Sequence, residues 1–224
     1  MTVALIVPVH NQLELLEPVV PLLAPQVDQL ILVDDASTDG TNDYLGTRWM
    51  DTPVGPGEVH STLLVERGRV GAINAGMQHV SQTMDWVGWY DVTAAYPEGY
   101  VTGLLSCADE NTGAVYGGTT RYDPEALVAG EDYMGPAAFI RRDLWHRAGA
   151  HRWGAAHRYD HWLRVEEVCW GQRKWIRCAV PTVEPSPSSL PGPSPQQLEA
   201  AQAEAIRRRE QYPLRKPLLD SRQA

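Results

Sequence analysis

The feature that most constrains this chain is the stretch Leu30-Ile31-Leu32-Val33-Asp34-Asp35-Ala36-Ser37-Thr38-Asp39-Gly40-Thr41. Its apolar, β-branched run stops at two carboxylates and gives way to small turn-forming residues, the pattern of a buried parallel strand ending in a loop at its carboxyl edge. Ligands of open α/β sheets bind at that edge. Adjacent carboxylates there repel each other and lose hydration, so they need partners such as ribose hydroxyls, a base N–H or a cation. The same residues also suit an N-cap and Asx-turn before a short helix, the commoner role of a bare Asp-Asp pair. Context favours a ligand, because a first strand, Val3-Ala4-Leu5-Ile6-Val7, itself ends in Pro8-Val9-His10-Asn11. Two strand ends then face one crevice.

The rest of the chain reads as alternating strands and helices. Asn11 can cap a helix whose apolar positions Leu13, Leu16, Val20 and Leu23 recur at three- and four-residue spacing, with Pro18 and Pro21 expected to kink it or end it early. A short helix follows from Thr41 to Trp49, then a loop from Met50 to Glu58 and a strand from Ser61 to Val65. The segment from Glu66 to Gly76 reads as a Gly-punctuated turn running into a helix that lasts to about Val80. Its glycines either let backbone N–H groups approach an anion or let the helix pack closely on the sheet. Further strands are expected at Trp86 to Tyr90, Ala114 to Gly117 and Trp175 to Val180. Helices are expected from Pro97 to Cys107 and from His157 to about Trp170, with a polar surface loop reaching Asp132. Prolines and serines dominate from Pro185 to Pro195, a linker before a polar helix at Gln196 to Tyr212. The expected organisation is one domain over residues 1–184 and an extension over 185–224.

Composition narrows the function classes. A net charge of -9 argues against a broad nucleic-acid footprint. No apolar run approaches a membrane span, and Met1 leads straight into a strand. The three cysteines, Cys107, Cys169 and Cys178, show no C-x-x-C spacing, so neither a disulfide framework nor a thiol metal site is indicated and a reducing cytosol is the expected compartment. Eight Trp and nine Tyr stand against one Phe, and such polar-edged rings suit sugar and nucleobase faces as well as ordinary core and rim.

The segments Ala4 to Asn11 and Ile31 to Thr41 resemble the start of a family 2 glycosyltransferase, a nucleotide-sugar-dependent enzyme of the GT-A fold. In that family the first strand ends near P-x-x-N and the second in V-D-D-x-S-x-D-G-T, whose acids hold the nucleoside. Val33 to Thr41 matches that string at nearly every position, and Gly71-Ala72-Ile73-Asn74-Ala75-Gly76 resembles the family's G-A-x-N-x-G beside the nucleotide. The resemblance implies an α/β domain with a mixed, mainly parallel, Rossmann-like sheet and helices on both faces. It further implies a UDP- or GDP-type sugar donor met by Pro8, His10, Asn11, Asp34, Asp35, Gly71, Asn74 and Asp91, with Arg67 a candidate contact outside the family pattern. Arg67 and Arg69 are additions to the pattern that can reach a diphosphate or stay solvated.

Asp91-Val92-Thr93, trailed by Pro97-Glu98-Gly99-Tyr100, stands where the family carries D-x-D and P-x-x-Y. Those acids hold a divalent metal, Mn²⁺ or Mg²⁺, on the diphosphate. Here the second acid is Thr93, whose hydroxyl brings no charge to a hard cation, and Glu184 is the residue available where the family places a histidine. The implied metal set is therefore Asp91, Thr93 and Glu184. Tyr159-Asp160-His161-Trp162-Leu163 resembles the family's E-D-x-x-L, which makes Asp160 the implied catalytic base, although an aspartate at a helix amino terminus also suits the helix dipole. The reaction implied is glycosyl transfer to an acceptor hydroxyl with inversion. A competing reading, favoured by the missing second acid and histidine, is a domain that binds nucleotide or glycan without transfer.

Overall fold

Val3 to Val9 and Gln29 to Asp35 are buried at every position. In the computed structural model of the chain they form two adjacent parallel strands, in register from Ala4↔Gln29 to Val9↔Asp34. A strand covered on both faces needs such a continuous apolar run. The structure describes residues 1–48, 53–54, 57–64, 68–96, 98–117, 138–151, 161, 164–165, 168–169, 174–177 and 184–185.

In chain order the elements are β1 (Val3–Val9), α1 (Leu13–Leu23), β2 (Gln29–Asp35), α2 (Thr41–Arg48), β3 (Pro53–Val54), β4 (Gly57–Leu64), α3 (Gly68–His79) and β5 (Trp86–Trp89). There follow β6 (Ala94–Ala95), α4 (Tyr100–Ser106), β7 (Thr112–Tyr116), β8 (Ala138–Arg141), α5 (Arg142–Ala148), β9 (Lys174–Arg177) and β10 (Glu184–Pro185). They divide between two compact units, one comprising Met1–Ala94 with Phe139–Asp143 and the other Ala95–Ala138 with Leu144–Ala224.

In the first unit the strand order is β3-β4-β2-β1-β5-β8. Strands β4, β2, β1 and β5 run parallel, while β3 pairs antiparallel with β4 and β8 antiparallel with β5. The chain steps outward from β1 to β2 to β4 and then crosses back to place β5 on the far side of β1. That reversal of strand order opens a crevice at the carboxyl ends of β1 and β5, the position at which doubly wound sheets bind ligands. Pro8 is tolerated inside β1 because pairing with β5 ends at Ile6↔Trp89, so the N–H it lacks has no ladder partner to serve. In the second unit β7 and β9 pair in parallel, with an irregularity between Thr112 and Ala114. Its buried residues include Leu144, Trp145, Val165 and Cys169, and the rings of His151 and His161 stack with centroids 3.9 Å apart.

Several elements differ from the sequence expectation. Helix α1 runs through both prolines, because the carbonyls they leave unserved, those of Glu14 and Glu17, lie on the exposed face where water replaces the lost bond. The buried stripe is Leu16, Val20 and Leu23, as the spacing indicates. Asn11 does not cap α1, whose N-cap position is Gln12 without a side-chain bond. The expected loop from Met50 to Glu58 contains β3 and the start of β4, paired as Pro53↔Glu58 and Val54↔Gly57. Helix α4 begins at Tyr100 rather than at Pro97, with Gly99 at φ 69° in the N-cap position. The expected surface loop before Asp132, the linker and the carboxyl-terminal helix lie outside the described residues, apart from Pro185 at the end of β10.

Gly76 shows what holds α3 to the sheet. A Cβ there would lie 2.5 Å from Ile6 Cγ2 and 3.2 Å from Val33 Cγ2, so only a residue without a side chain allows this approach. Both neighbours are fully buried and cannot yield. We expect Gly76→Ala to destabilise the fold by about 1–3 kcal/mol in denaturant unfolding, the usual cost of overpacking. Unchanged stability would mean that α3 sits further from β1 and β2.

Candidate functional site

The carboxyl ends of β1 and β2 are locked to each other by the loops that follow them. After β1 the chain turns at Asn11, which adopts a left-handed φ of 51°, a conformation asparagine tolerates better than most residues. From that corner its Oδ1 accepts the Thr38 N–H at 2.7 Å, and its own N–H donates to Ser37 Oγ at 2.8 Å. His10 Nδ1 lies 2.7 Å from the carbonyl of Asp35. A carbonyl can only accept, so Nδ1 carries the proton and Nε2 accepts from the Asn11 amide at 3.1 Å. After β2, Ala36 also takes a positive φ, 59°, which costs about 1–2 kcal/mol for a residue with a Cβ. Backbone in such a state persists where its surroundings over-determine it.

Asp39 joins this loop to both neighbouring helices. Its Oδ2 accepts the Leu13 N–H at the start of α1 at 2.9 Å, and its Oδ1 accepts the hydroxyl of Thr41 at 2.6 Å and its N–H at 3.1 Å. The helix-capping role expected of Asn11 therefore falls to an aspartate 26 residues from Leu13 in sequence. Asp34 and Asp35 are both buried, 1% and 4% exposed. Asp34 Oδ1 accepts the N–H of Ser37, three residues on, at 3.0 Å. Its Oδ2 is buried with no hydrogen-bond partner among the described residues.

Asp91 follows β5 on the other side of β1, and both of its carboxylate oxygens are engaged. Oδ1 accepts the Thr93 hydroxyl at 2.7 Å and the Thr93 N–H at 3.0 Å. Oδ2 receives Arg69 Nη1 at 2.5 Å, and Nη2 of the same guanidinium lies 3.4 Å from Oδ1. Arg69 comes from the first turn of α3, 22 residues away, and its side chain keeps 29% of its exposure. Beside this carboxylate and within a buried environment, the phenol of Tyr90 is pushed above its ordinary value first by burial and then by the charge of Asp91.

The first unit thus brings together Pro8, His10, Asn11, Asp34, Asp35, Asp91 and Thr93 at one sheet edge. Gly71 is not in a turn facing an anion. It is buried inside α3 three residues after Gly68, and Asn74 is half-buried one turn on. Arg67 and Asp160 lie outside the described residues, as does the side chain of Glu184, whose backbone forms part of β10 in the second unit. No local pattern in the sequence gives Asp39 a structural role or decides whether Arg69 meets a diphosphate or solvent. The pairing of Arg69 with Asp91 has no short-range signal.

The donor set around Asp91 does not fit a divalent cation well. Thr93 spends its proton on one oxygen of Asp91, Arg69 occupies the other, and no group of three or more His, Cys, Asp or Glu residues among the described ones could hold a metal ion. Likewise, no helix among the described residues is long and apolar enough to cross a membrane.

The sequence pattern of the family "Glycosyl transferase family 2" matches residues 4–160. The chain belongs to that family. No curated protein sequence matches it. Among solved structures, a mannosyltransferase from Pyrobaculum calidifontis in complex with GDP-Man and Mn²⁺ is 21% identical with a TM-score of 0.69, covering 92% of this chain and 64% of its own. Glucosyl-3-phosphoglycerate synthase from Mycobacterium tuberculosis, in complex with Mg²⁺ and UDP, is 17% identical with a TM-score of 0.67, covering 92% of this chain and 76% of its own. TarS 1–349 of S. aureus with UDP-GlcNAc is 13% identical with a TM-score of 0.66, covering 86% and 60%. This chain therefore spans about two thirds of the mannosyltransferase chain. The likenesses establish a GT-A-like α/β fold, in agreement with the mainly parallel sheet of the first unit.

The loop geometry around Asp39 carries a pH dependence. Burial pushes its carboxyl up, but the hydrogen bonds from Leu13 and Thr41 outweigh this and hold it below the ordinary 3.8. A depressed folded pKa contributes stability above the unfolded value, and that contribution is lost as pH falls through the folded value. Asp39→Asn should therefore be less stable than the parent at about pH 6, with the gap closing below about pH 4. Urea unfolding of both chains across that range checks it, and a gap that stays constant with pH would contradict it.

Proposed function

We propose that the chain transfers a glycosyl group from a nucleoside-diphosphate sugar to an acceptor hydroxyl, with inversion at the anomeric carbon. The observation that carries the donor half is the strand-end cluster of His10, Asn11, Asp34 and Asp35 with an unpartnered, buried Asp34 Oδ2. An unmet carboxylate oxygen costs on the order of 1–3 kcal/mol, and a base N–H or ribose hydroxyl is the donor that would offset it. Family membership supports the sugar half, and the ligands of the structural neighbours, GDP-Man, UDP and UDP-GlcNAc, support a GDP- or UDP-type donor.

In this reading the acceptor oxygen attacks the anomeric carbon as the bond from that carbon to the diphosphate breaks, and Asp160 takes the acceptor's proton. An ordinary carboxylate suffices because proton transfer is late and concerted with attack, so no free alkoxide forms. The support for Asp160 is its place in the E-D-x-x-L-like segment at the end of the family match. Tyr90, kept neutral by burial and by Asp91, does not compete as a base. The neighbours with GDP-Man and with UDP also hold Mn²⁺ or Mg²⁺, but the described residues at Asp91 include no group of three or more His, Cys, Asp or Glu that could hold a metal ion.

Two variants separate binding from chemistry. Asp35→Ala should weaken UDP or GDP binding by about 1.5–3 kcal/mol in calorimetry, the range for hydrogen bonds to a charged group, while leaving the circular dichroism spectrum unchanged. Asp160→Asn, which keeps the shape and removes the basicity, should bind donor normally and release nucleotide about 10²–10⁴-fold more slowly. Near-normal turnover of the Asn variant would move the base elsewhere. Wild-type chain that binds but releases no nucleotide from a panel of nucleotide sugars and acceptors would favour recognition without transfer.

A further inference from the structure

We propose that Arg69, aimed by Asp91 and Thr93, is the cation that receives the donor's diphosphate, and that this chain binds a nucleoside diphosphate without a divalent metal on Asp91. The inference rests on the nucleotide-sugar reading above and deepens it. A carboxylate offers about four lone-pair directions. On Asp91, Oδ1 is filled by the Thr93 N–H and hydroxyl and approached by Arg69 Nη2, while Oδ2 takes Arg69 Nη1 at 2.5 Å. A second cation at Asp91 would have to expel Arg69 or bind against its permanent positive charge. Thr93 brings no compensating charge, whereas a second carboxylate there would attract one.

What remains open is the guanidinium. It has five N–H donors in one plane, and the fork turned towards Asp91 uses two nitrogens of it. Asp91 and Thr93 fix its plane, so little conformational freedom is lost when the other donors meet phosphate oxygens, and the partly exposed side chain leaves them within reach. Arg69 also stands in the first turn of α3, where the helix dipole already favours an anion. Charge that develops on the leaving diphosphate would meet a cation already in place. Asp91 is then a positioning residue for Arg69 and not a metal ligand.

Calorimetric titration of the full chain with UDP, GDP and the matching nucleosides, in EDTA and in excess Mn²⁺, tests this. The diphosphate that binds should do so equally, within about threefold, in both buffers. Arg69→Ala should lower diphosphate affinity by about 10–100-fold, as expected for hydrogen bonds to a charged group, and leave nucleoside affinity unchanged. Arg69→Lys keeps the charge and loses the planar fork, and it should fall between the two while preserving the fold even if the alanine variant does not. The double variant Arg69→Ala with Thr93→Asp should acquire Mn²⁺ dependence. Wild-type affinity tightened by Mn²⁺ tenfold or more, or either Arg69 variant binding diphosphate as tightly as the parent, overturns the inference and leaves the nucleotide reading standing. Wild-type chain that binds neither nucleotide nor nucleoside overturns both.

Discussion

Strand β1 hydrogen-bonds to β2 on one side and to β5 on the other, and because all three run parallel their carboxyl ends finish on one edge of the sheet. Every residue of β1 and β2 is buried, so a slip in register would leave backbone groups unpaired in an apolar interior. The price of that rigidity is paid at the edge. Where the strands stop, two residues with a Cβ take left-handed backbone angles, and Asp34 and Asp35 are held out of water. Hydrogen bonds donated by Asn11, Leu13, Ser37 and Thr38, accepted in turn by Ser37, Asp39, Asp34 and Asn11, hold this geometry in place before any ligand arrives. A site that is ordered in advance loses less entropy on binding.

The same edge separates two kinds of carboxylate. Asp39 and Asp91 have their oxygens occupied and serve as braces, one for the helix starts and one for a guanidinium. Asp34 keeps one buried oxygen without a protein partner among the described residues. Acids that look alike in sequence thus divide by what their neighbours have already satisfied.

Much of this was legible in the residues themselves. The uninterrupted apolar runs identify β1, β2 and β5, and the carboxylates placed directly after them identify the edge, because period and burial are local properties. What escaped is what distance in the sequence conceals. Asn11 looked like a helix cap and is a left-handed corner, since the capping group for α1 arrives from Asp39 across the crevice. The prolines of α1 looked like breakers and are tolerated, since their unserved carbonyls face water. Gly71, open in sequence between an anion cradle and a closely packed helix, lies within α3, while Gly76 shows that close packing explains at least one glycine of that motif. Arg69 and Asp91 meet only because α3 returns the chain to the end of β5.

The central claim is that a nucleoside diphosphate occupies the edge formed by β1, β2 and β5. A crystal structure of the chain grown with UDP or GDP, without added metal, tests it most directly. The account predicts the base and ribose against Asp34 and Asp35, and phosphate oxygens within hydrogen-bonding distance of Arg69 while Asp91 still holds that side chain. A nucleotide bound away from these residues, or an Arg69 turned aside with a cation on Asp91, would contradict it.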